Sequence, residues 1–208
     1  MFNMDKILVT LFLFLTFSIN SCFAASEPQE RFNIPLEKEE MSLSEYAILY
    51  YGENNNEEAL SYLLKIKEQD RTAQDWLLLG NILQDSGKIA DAVFMYNRAI
   101  VTDKKFYKAY YNLANLYFDE NKLNLAIENY KLATKYNREF PYAYYNLGCV
   151  YLEIGQANKA KIAFLKAIEL KNTIPEFHYN LAYTYKKLGK EKLAKQYLEN
   201  YNKLILGY

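Results

Sequence analysis

One histidine, His178, and two cysteines, Cys22 and Cys149, are the side chains best suited to proton transfer or nucleophilic attack in this 208-residue chain. Their surroundings in the sequence do not support either use. A thiol becomes a nucleophile when a base or a cation stabilises its thiolate. No histidine or basic residue stands within one helical turn of Cys149. There is no Gly-rich phosphate loop, no clustered metal-ligand spacing and no nucleophile motif. Asn54-Asn55-Asn56-Glu57-Glu58 reads as a polar turn rather than a cation loop. The expectation is a protein that is not an enzyme and carries no cofactor or metal. The chemistry on offer is recognition. The chain holds 21 Tyr, and each ring supplies rigid apolar area and one hydroxyl.

The elements that must position these side chains recur. Tyr107-Lys108-Ala109-Tyr110-Tyr111-Asn112-Leu113-Ala114 lies over Pro141-Tyr142-Ala143-Tyr144-Tyr145-Asn146-Leu147-Gly148 at an offset of 34. Four copies share this register. A small residue, Gly80, Ala114, Gly148 or Ala182, follows Leu79, Leu113, Leu147 or Leu181. Trp76, Tyr110, Tyr144 and His178 stand three residues before that Leu, so His178 falls on a core position. A turn follows at Gly87, Asn121, Gly155 and Gly189, types that accept a left-handed backbone. The second half of each copy carries Ala92, Ala126, Ala160 and Ala194, then Tyr96, Tyr130, Phe164 and Leu198. Two helical patterns within one fixed period predict stacked helix pairs, because one pair cannot bury its apolar face alone.

This pattern resembles the tetratricopeptide repeat. The resemblance implies an all-α, right-handed solenoid of antiparallel helix pairs. Four regular repeats are expected over 73–106, 107–140, 141–174 and 175–206. A degenerate pair over 42–72 precedes them, where Ala59 lies 33 rather than 34 residues before Ala92. Ser42-x-x-Glu45 is a capping-box pattern at its start. The family's frequent Pro near the repeat end is missing, and Pro141 and Pro175 open first helices instead.

In that family the first helices line a concave face. The resemblance therefore implies a partner-binding groove built from Tyr111, Asn115, Tyr142, Tyr145, Tyr179 and Tyr183, with Asn112, Asn146 and Asn180 recurring beside them. Cys149 faces the same groove. Stacked Tyr rings suit a peptide, and the Asn amides suit its backbone. The Lys, Asn and Arg set with which chaperone-binding members clamp a C-terminal carboxylate is not preserved, since Leu77, Tyr111, Tyr142 and Glu176 stand at basic positions.

The N-terminus predicts export. Residues 7–19 form an apolar run after Lys6, too short for a membrane span of about 20 residues and of signal-peptide length. Ile19-Asn20-Ser21-Cys22 resembles a bacterial lipobox, which would make residues 1–21 the signal and Cys22 the lipidated residue. Cleavage after Ala24 is the other ending. Either use removes Cys22 from disulfide chemistry, so Cys149 is expected to stand alone. Residues 22–41 read as a flexible acidic linker, in which Phe32, Ile34 and Leu36 alternate and would suit a strap.

The chain is neutral overall, so no global field points to nucleic acid. Its charge is divided, however. Residues 26–70 hold 11 acidic and 4 basic side chains, net −7, while 71–208 hold 13 and 20, net +7. A basic array suits an acidic partner or its own acidic N-terminal segment. The combined expectation is a protein-binding module, an assembly or scaffold factor lipid-anchored at the periplasmic face of a bacterial envelope. Soluble periplasmic or secreted forms are the alternative. The last helix carries Tyr201, Leu204, Ile205 and Tyr208 with no capping helix after it, so self-association into a homodimer through that helix is the alternative function.

Overall fold

The computed structural model describes residues 41–207. The signal, the linker, Cys22 and Tyr208 lie outside the described residues. Among those described are ten α-helices and one 3-10 turn, Glu68–Asp70, with no strand. The helices are α1 Leu43–Gly52, α2 Asn56–Lys65, α3 Ala73–Asp85, α4 Ile89–Thr102 and α5 Tyr107–Asp119. They continue as α6 Leu123–Tyr136, α7 Pro141–Glu153, α8 Ala157–Leu170, α9 Pro175–Lys187 and α10 Glu191–Leu206. Consecutive helices pair, each pair packs on the next, and first helix meets first helix at α1–α3, α5–α7 and α7–α9. The result is an all-α solenoid, as the period predicts.

The hairpin turn repeats as closely as the sequence does. Gly87, Asn121, Gly155 and Gly189 all have φ between 58° and 74°. After each, one amide reaches back over the helix end: Lys88 to the Leu83 carbonyl at 2.8 Å, Lys122 to Tyr117 at 2.7 Å, Gln156 to Tyr151 at 2.7 Å and Lys190 to Tyr185 at 2.9 Å. This bond satisfies carbonyls that the helix end leaves orphaned. The first pair makes the same turn with Asn54 at φ 59°, and the Asn55 amide bonds the Tyr50 carbonyl at 2.9 Å. A left-handed Asn thus marks the degenerate pair as a member of the same series.

Helix starts fall into two kinds. Ser42 and Glu45 form the capping box read from the sequence. Thr72 and Asp75 form a second, with the Thr72 hydroxyl 2.7 Å from Asp75 Oδ2. The starts of α5, α7 and α9 have no side-chain cap, and their N-cap residues are Phe106, Phe140 and Ile174. Two of these helices open with Pro141 and Pro175, whose missing N–H sits where no partner exists anyway. Phe140 is buried and meets Tyr111 edge-on at 4.9 Å. These helices are positioned by burial against the preceding repeat.

Within each pair the small residue and the aromatic are complementary. A Cβ on Gly80 would lie 2.4 Å from the Tyr96 ring, and one on Gly148 would lie 2.6 Å from the Phe164 ring. Tyr96, Tyr130 and Phe164 are completely buried, as are Ala92, Ala126 and Ala160. His178 is buried too, with Nε2 2.8 Å from the Asn172 carbonyl and its ring 6.0 Å from Tyr197. This matches the core position that the register assigns to it.

Candidate functional site: the first-helix face

Sequence position alone would place nine residues on the open face of the first helices. The structure divides them. Tyr111, Tyr142, Tyr145, Asn146 and Asn180 are buried, Asn112, Asn115 and Tyr179 are half-buried, and Tyr183 is 37% exposed. The five buried residues correct the expectation of rings and amides standing free. They lie in the seams between repeats, because residues on one first helix meet the next first helix and an aromatic at or near its start, Phe140 for α7 and Phe177 for α9.

The Asn residues are engaged across those seams. Asn112 Nδ2 donates to Asn81 Oδ1 at 2.8 Å, and Asn146 Nδ2 donates to Asn115 Oδ1 at 3.0 Å. Asn146 also reaches the Tyr111 hydroxyl at 3.2 Å, and Asn180 donates to the Tyr145 hydroxyl. The acceptor Asn is used twice. The Tyr130 hydroxyl donates to Asn115 Oδ1 at 2.6 Å. The Tyr96 hydroxyl, with one proton to give, lies 2.9 Å from Asn81 Oδ1 and 2.7 Å from Gln84 Oε1. Burial is the main cause that pushes the Tyr130 hydroxyl well above the ordinary tyrosine range, and Tyr96 and Tyr145 move the same way for the same reason. These phenols therefore stay neutral and able to donate. A buried amide with its partners in place is costly to remove, which makes this ladder a structural device.

The rings are engaged as well. Tyr145 stacks on Phe177 at 4.7 Å, and Tyr142 meets Phe177 edge-on at 6.0 Å. Lys171 Nζ donates to the Tyr142 hydroxyl at 3.2 Å. Phe140 and Phe177 escaped the reading of the sequence as site-shaping residues. A signal existed for Phe177, which stands where the two preceding copies have Ala109 and Ala143.

Cys149 departs from expectation. It is buried on α7 and disulfide-bonded, not alone. The chain's other cysteine is Cys22. Among the described residues no group of His, Cys, Asp and Glu is placed to hold a metal ion.

The face opens at the last repeat. Between α9 and α10 lies a cavity of about 300 Å³ lined by Tyr179, Ala182, Tyr183, Lys186, Glu191, Ala194, Lys195 and Leu198. Two features coincide there: no described helix follows α10, and the ring of the earlier pairs is replaced. Tyr96, Tyr130 and Phe164 fill this space in the earlier pairs, and the last pair has the smaller Leu198 there. Tyr183 stands in the register of Asn81, Asn115 and Cys149, so a ring rather than an amide borders the opening. Lys186 and Lys195 are exposed beside it. The arrangement can take an apolar side chain and place a carboxylate near ammonium groups.

Sequence models described as TPR repeat or tetratricopeptide repeat match residues 114–155, 141–174 and 163–196. No curated protein matches the chain in sequence. Solved structures share the architecture. A crystal structure of MamA aligns with TM-score 0.68 and 24% identity over 77% of this chain and 95% of that one. A MamA RS-1 double mutant aligns with TM-score 0.69 and 19% identity over 79% and 93%. A further structure, MamA AMB-1, gives TM-score 0.67 and 18% identity over 80% and 91%. Identities this low speak for the fold alone. The 34-residue register, the repeated left-handed turn, the stacked helix pairs and these matches make the chain a tetratricopeptide repeat protein.

Proposed function

We propose that this chain is a non-catalytic protein–protein interaction module that takes a peptide or protein segment on its first-helix face and works in a bacterial cell envelope after export. The observation that carries the reading is the cavity between α9 and α10. Its volume suits one or two side chains of an extended segment, and its lining combines Tyr179 and Tyr183 with Leu198, Lys186 and Lys195. A segment with an apolar residue flanked by Asp or Glu fits that chemistry. Tyr111, Tyr145 and Asn146 are buried in the seams between earlier repeats and do not line this cavity. Export is supported by the apolar run 7–19, and an assembly or scaffold role follows from a binding face without catalytic groups.

The reading is tested by selecting peptides on the purified mature chain and measuring affinity by fluorescence anisotropy. Selected peptides are expected to carry acidic residues around one apolar anchor. Tyr183→Ala combined with Lys195→Glu is expected to weaken them about tenfold or more, a loss of about 1.4 kcal/mol. Phe94→Ser, an exposed residue on α4, is the control and is expected to change nothing. Equal affinity for the groove variant and the wild type would sink the proposal.

Exposed Ile205 and Leu206 favour a second reading, homodimerisation through the last turn of α10. A concentration-dependent dimer in light scattering, lost on Leu204→Glu with Ile205→Glu, is its expected signature. A monomer at every concentration excludes it.

A further inference from the structure

Two internal seams show how this array receives a helix. Where α7 follows α5, Phe140 meets the Tyr111 ring edge-on at 4.9 Å, and the Asn146 amide donates to the Tyr111 hydroxyl at 3.2 Å. Where α9 follows α7, Phe177 stacks on the Tyr145 ring at 4.7 Å, and Asn180 donates to its hydroxyl. Tyr179 is the next member of this series, 34 residues after Tyr145, and no described helix follows α10 to cover it. A ring covers it nonetheless. Tyr201 of α10 lies 5.3 Å from Tyr179. The three earlier second helices carry Ala99, Ala133 and Ala167 in the register of Tyr201. All three Ala are completely buried, on helices that pack against the next first helix.

We infer, resting on the reading of the α9–α10 cavity as the partner site, that Tyr201 sets the shape of the partner: its ring closes the last seam to a docking helix, so the segment bound there is extended. A helix docked as α7 and α9 are docked lies against a second helix that offers Ala at this point. Tyr201 puts a whole ring there, and a close-packed contact has no room to spare for one. Further along α9 the seam stays open at Tyr183 and Leu198, but the cavity of about 300 Å³ takes side chains, not the roughly 10–12 Å girth of a helix. An extended chain turns alternate side chains to one side. It can lower one apolar residue beside Leu198, set acidic neighbours near Lys186 and Lys195, and pass over Tyr201 without displacing it.

The test uses the mature chain and a fluorescein-labelled, stapled helix that copies residues 139–153, the segment lying over Tyr111, with Cys149→Ser in the probe. In fluorescence anisotropy this helix is expected to bind Tyr201→Ala about tenfold or more tightly than it binds wild type or Tyr201→Phe. Ala restores the residue of the earlier repeats, and Phe keeps the ring. Peptides selected on the wild type are expected to bind Tyr201→Ala within about threefold of their original affinity. A helix probe that binds wild type as tightly as Tyr201→Ala, or that a folded Tyr201→Ala does not take up, overturns the inference. Circular dichroism reports whether Tyr201→Ala folds. If it does not, the Cα chemical shifts of a ¹³C-labelled selected peptide on the wild type decide, with extended values expected and helical values overturning the inference. Failure to select any peptide sinks the cavity as a partner site and still leaves the helix probe to judge Tyr201. A helix probe bound by the wild type sinks the role of Tyr201 and leaves the cavity standing.

Discussion

The second and fourth regular repeats solve the same packing problem in different ways. In the second, Tyr130 fills the space between α5 and α6, and its hydroxyl and the Asn146 amide share Asn115 as acceptor. In the fourth, Leu198 underfills that space, Tyr183 replaces the amide, and a cavity remains. The third repeat is intermediate. Phe164 keeps the ring but has no hydroxyl to place, and Cys149 stands where the acceptor was. The polar pair is present together or lost together. A repeat that gives up its buried Asn–Tyr pair frees the ninth position of its first helix for something else, a disulfide in one case and the rim of a pocket in the other.

The comparison can be broken most strongly at the ring. Tyr130→Ala is expected to cost about 3–5 kcal/mol in a urea titration, as complete loss of a buried aromatic usually does. Leu198→Ala is expected to cost clearly less, because Leu198 is half-buried beside an existing cavity. Equal losses would mean that the last pair is packed like the middle ones.

Alkaline titration sharpens the same contrast. The Tyr130 hydroxyl is raised by burial, so the folded state holds its proton where the unfolded state releases it. Its contribution is full below the ordinary tyrosine value near pH 10 and is lost as pH rises above it, by up to about 1.4 kcal/mol per pH unit. Tyr130→Phe, which copies the third repeat, is expected to flatten that fall when midpoints are compared between pH 9 and 11.

A double-mutant cycle tests whether the pair acts as a unit. Asn115→Ala is expected to destabilise by about 1–3 kcal/mol by stranding the Tyr130 hydroxyl, and Tyr130→Phe by about 0.5–1.5 kcal/mol, since Asn115 Oδ1 keeps the Asn146 donor. The double variant is expected to cost less than the sum, by about 1 kcal/mol, because the Tyr130 hydroxyl and its acceptor leave together. Strict additivity would show that the third repeat lost its two polar groups independently.

The smallest effect runs the other way. Leu198→Phe rebuilds the ring of the middle repeats and is expected to raise stability by about 0.5–1 kcal/mol. It is also expected to weaken any peptide that uses the cavity. Stabilisation without loss of binding would move the site elsewhere on the face.

Most of the fold was legible because its determinants are local and repeat. Gly87, Asn121, Gly155 and Gly189 announce the turns, and Ala92, Ala126 and Ala160 with their facing rings announce the pairing. The site was only half legible. A period tells which residues recur, not which surfaces touch. Tyr111 and Tyr145 occupy positions that line a groove in a single repeat, yet Phe140 at the start of α7 and Phe177 on α9 cover them. The cavity was hidden for a related reason. Leu198 looks like a conservative aliphatic in the register of Tyr and Phe, and only the assembled pair shows the volume it leaves.

The two kinds of helix start bear on the order in which the chain takes shape. Helices α1 and α3 carry start signals in their own residues, Ser42 with Glu45 and Thr72 with Asp75. Helices α5, α7 and α9 begin at Phe106, Phe140 and Ile174, residues that mark a start only when an earlier surface is there to receive them. Synthesis delivers the N-terminal residues first. The self-defined helices thus emerge before the dependent ones, and each later repeat finds its boundary already waiting on the one before.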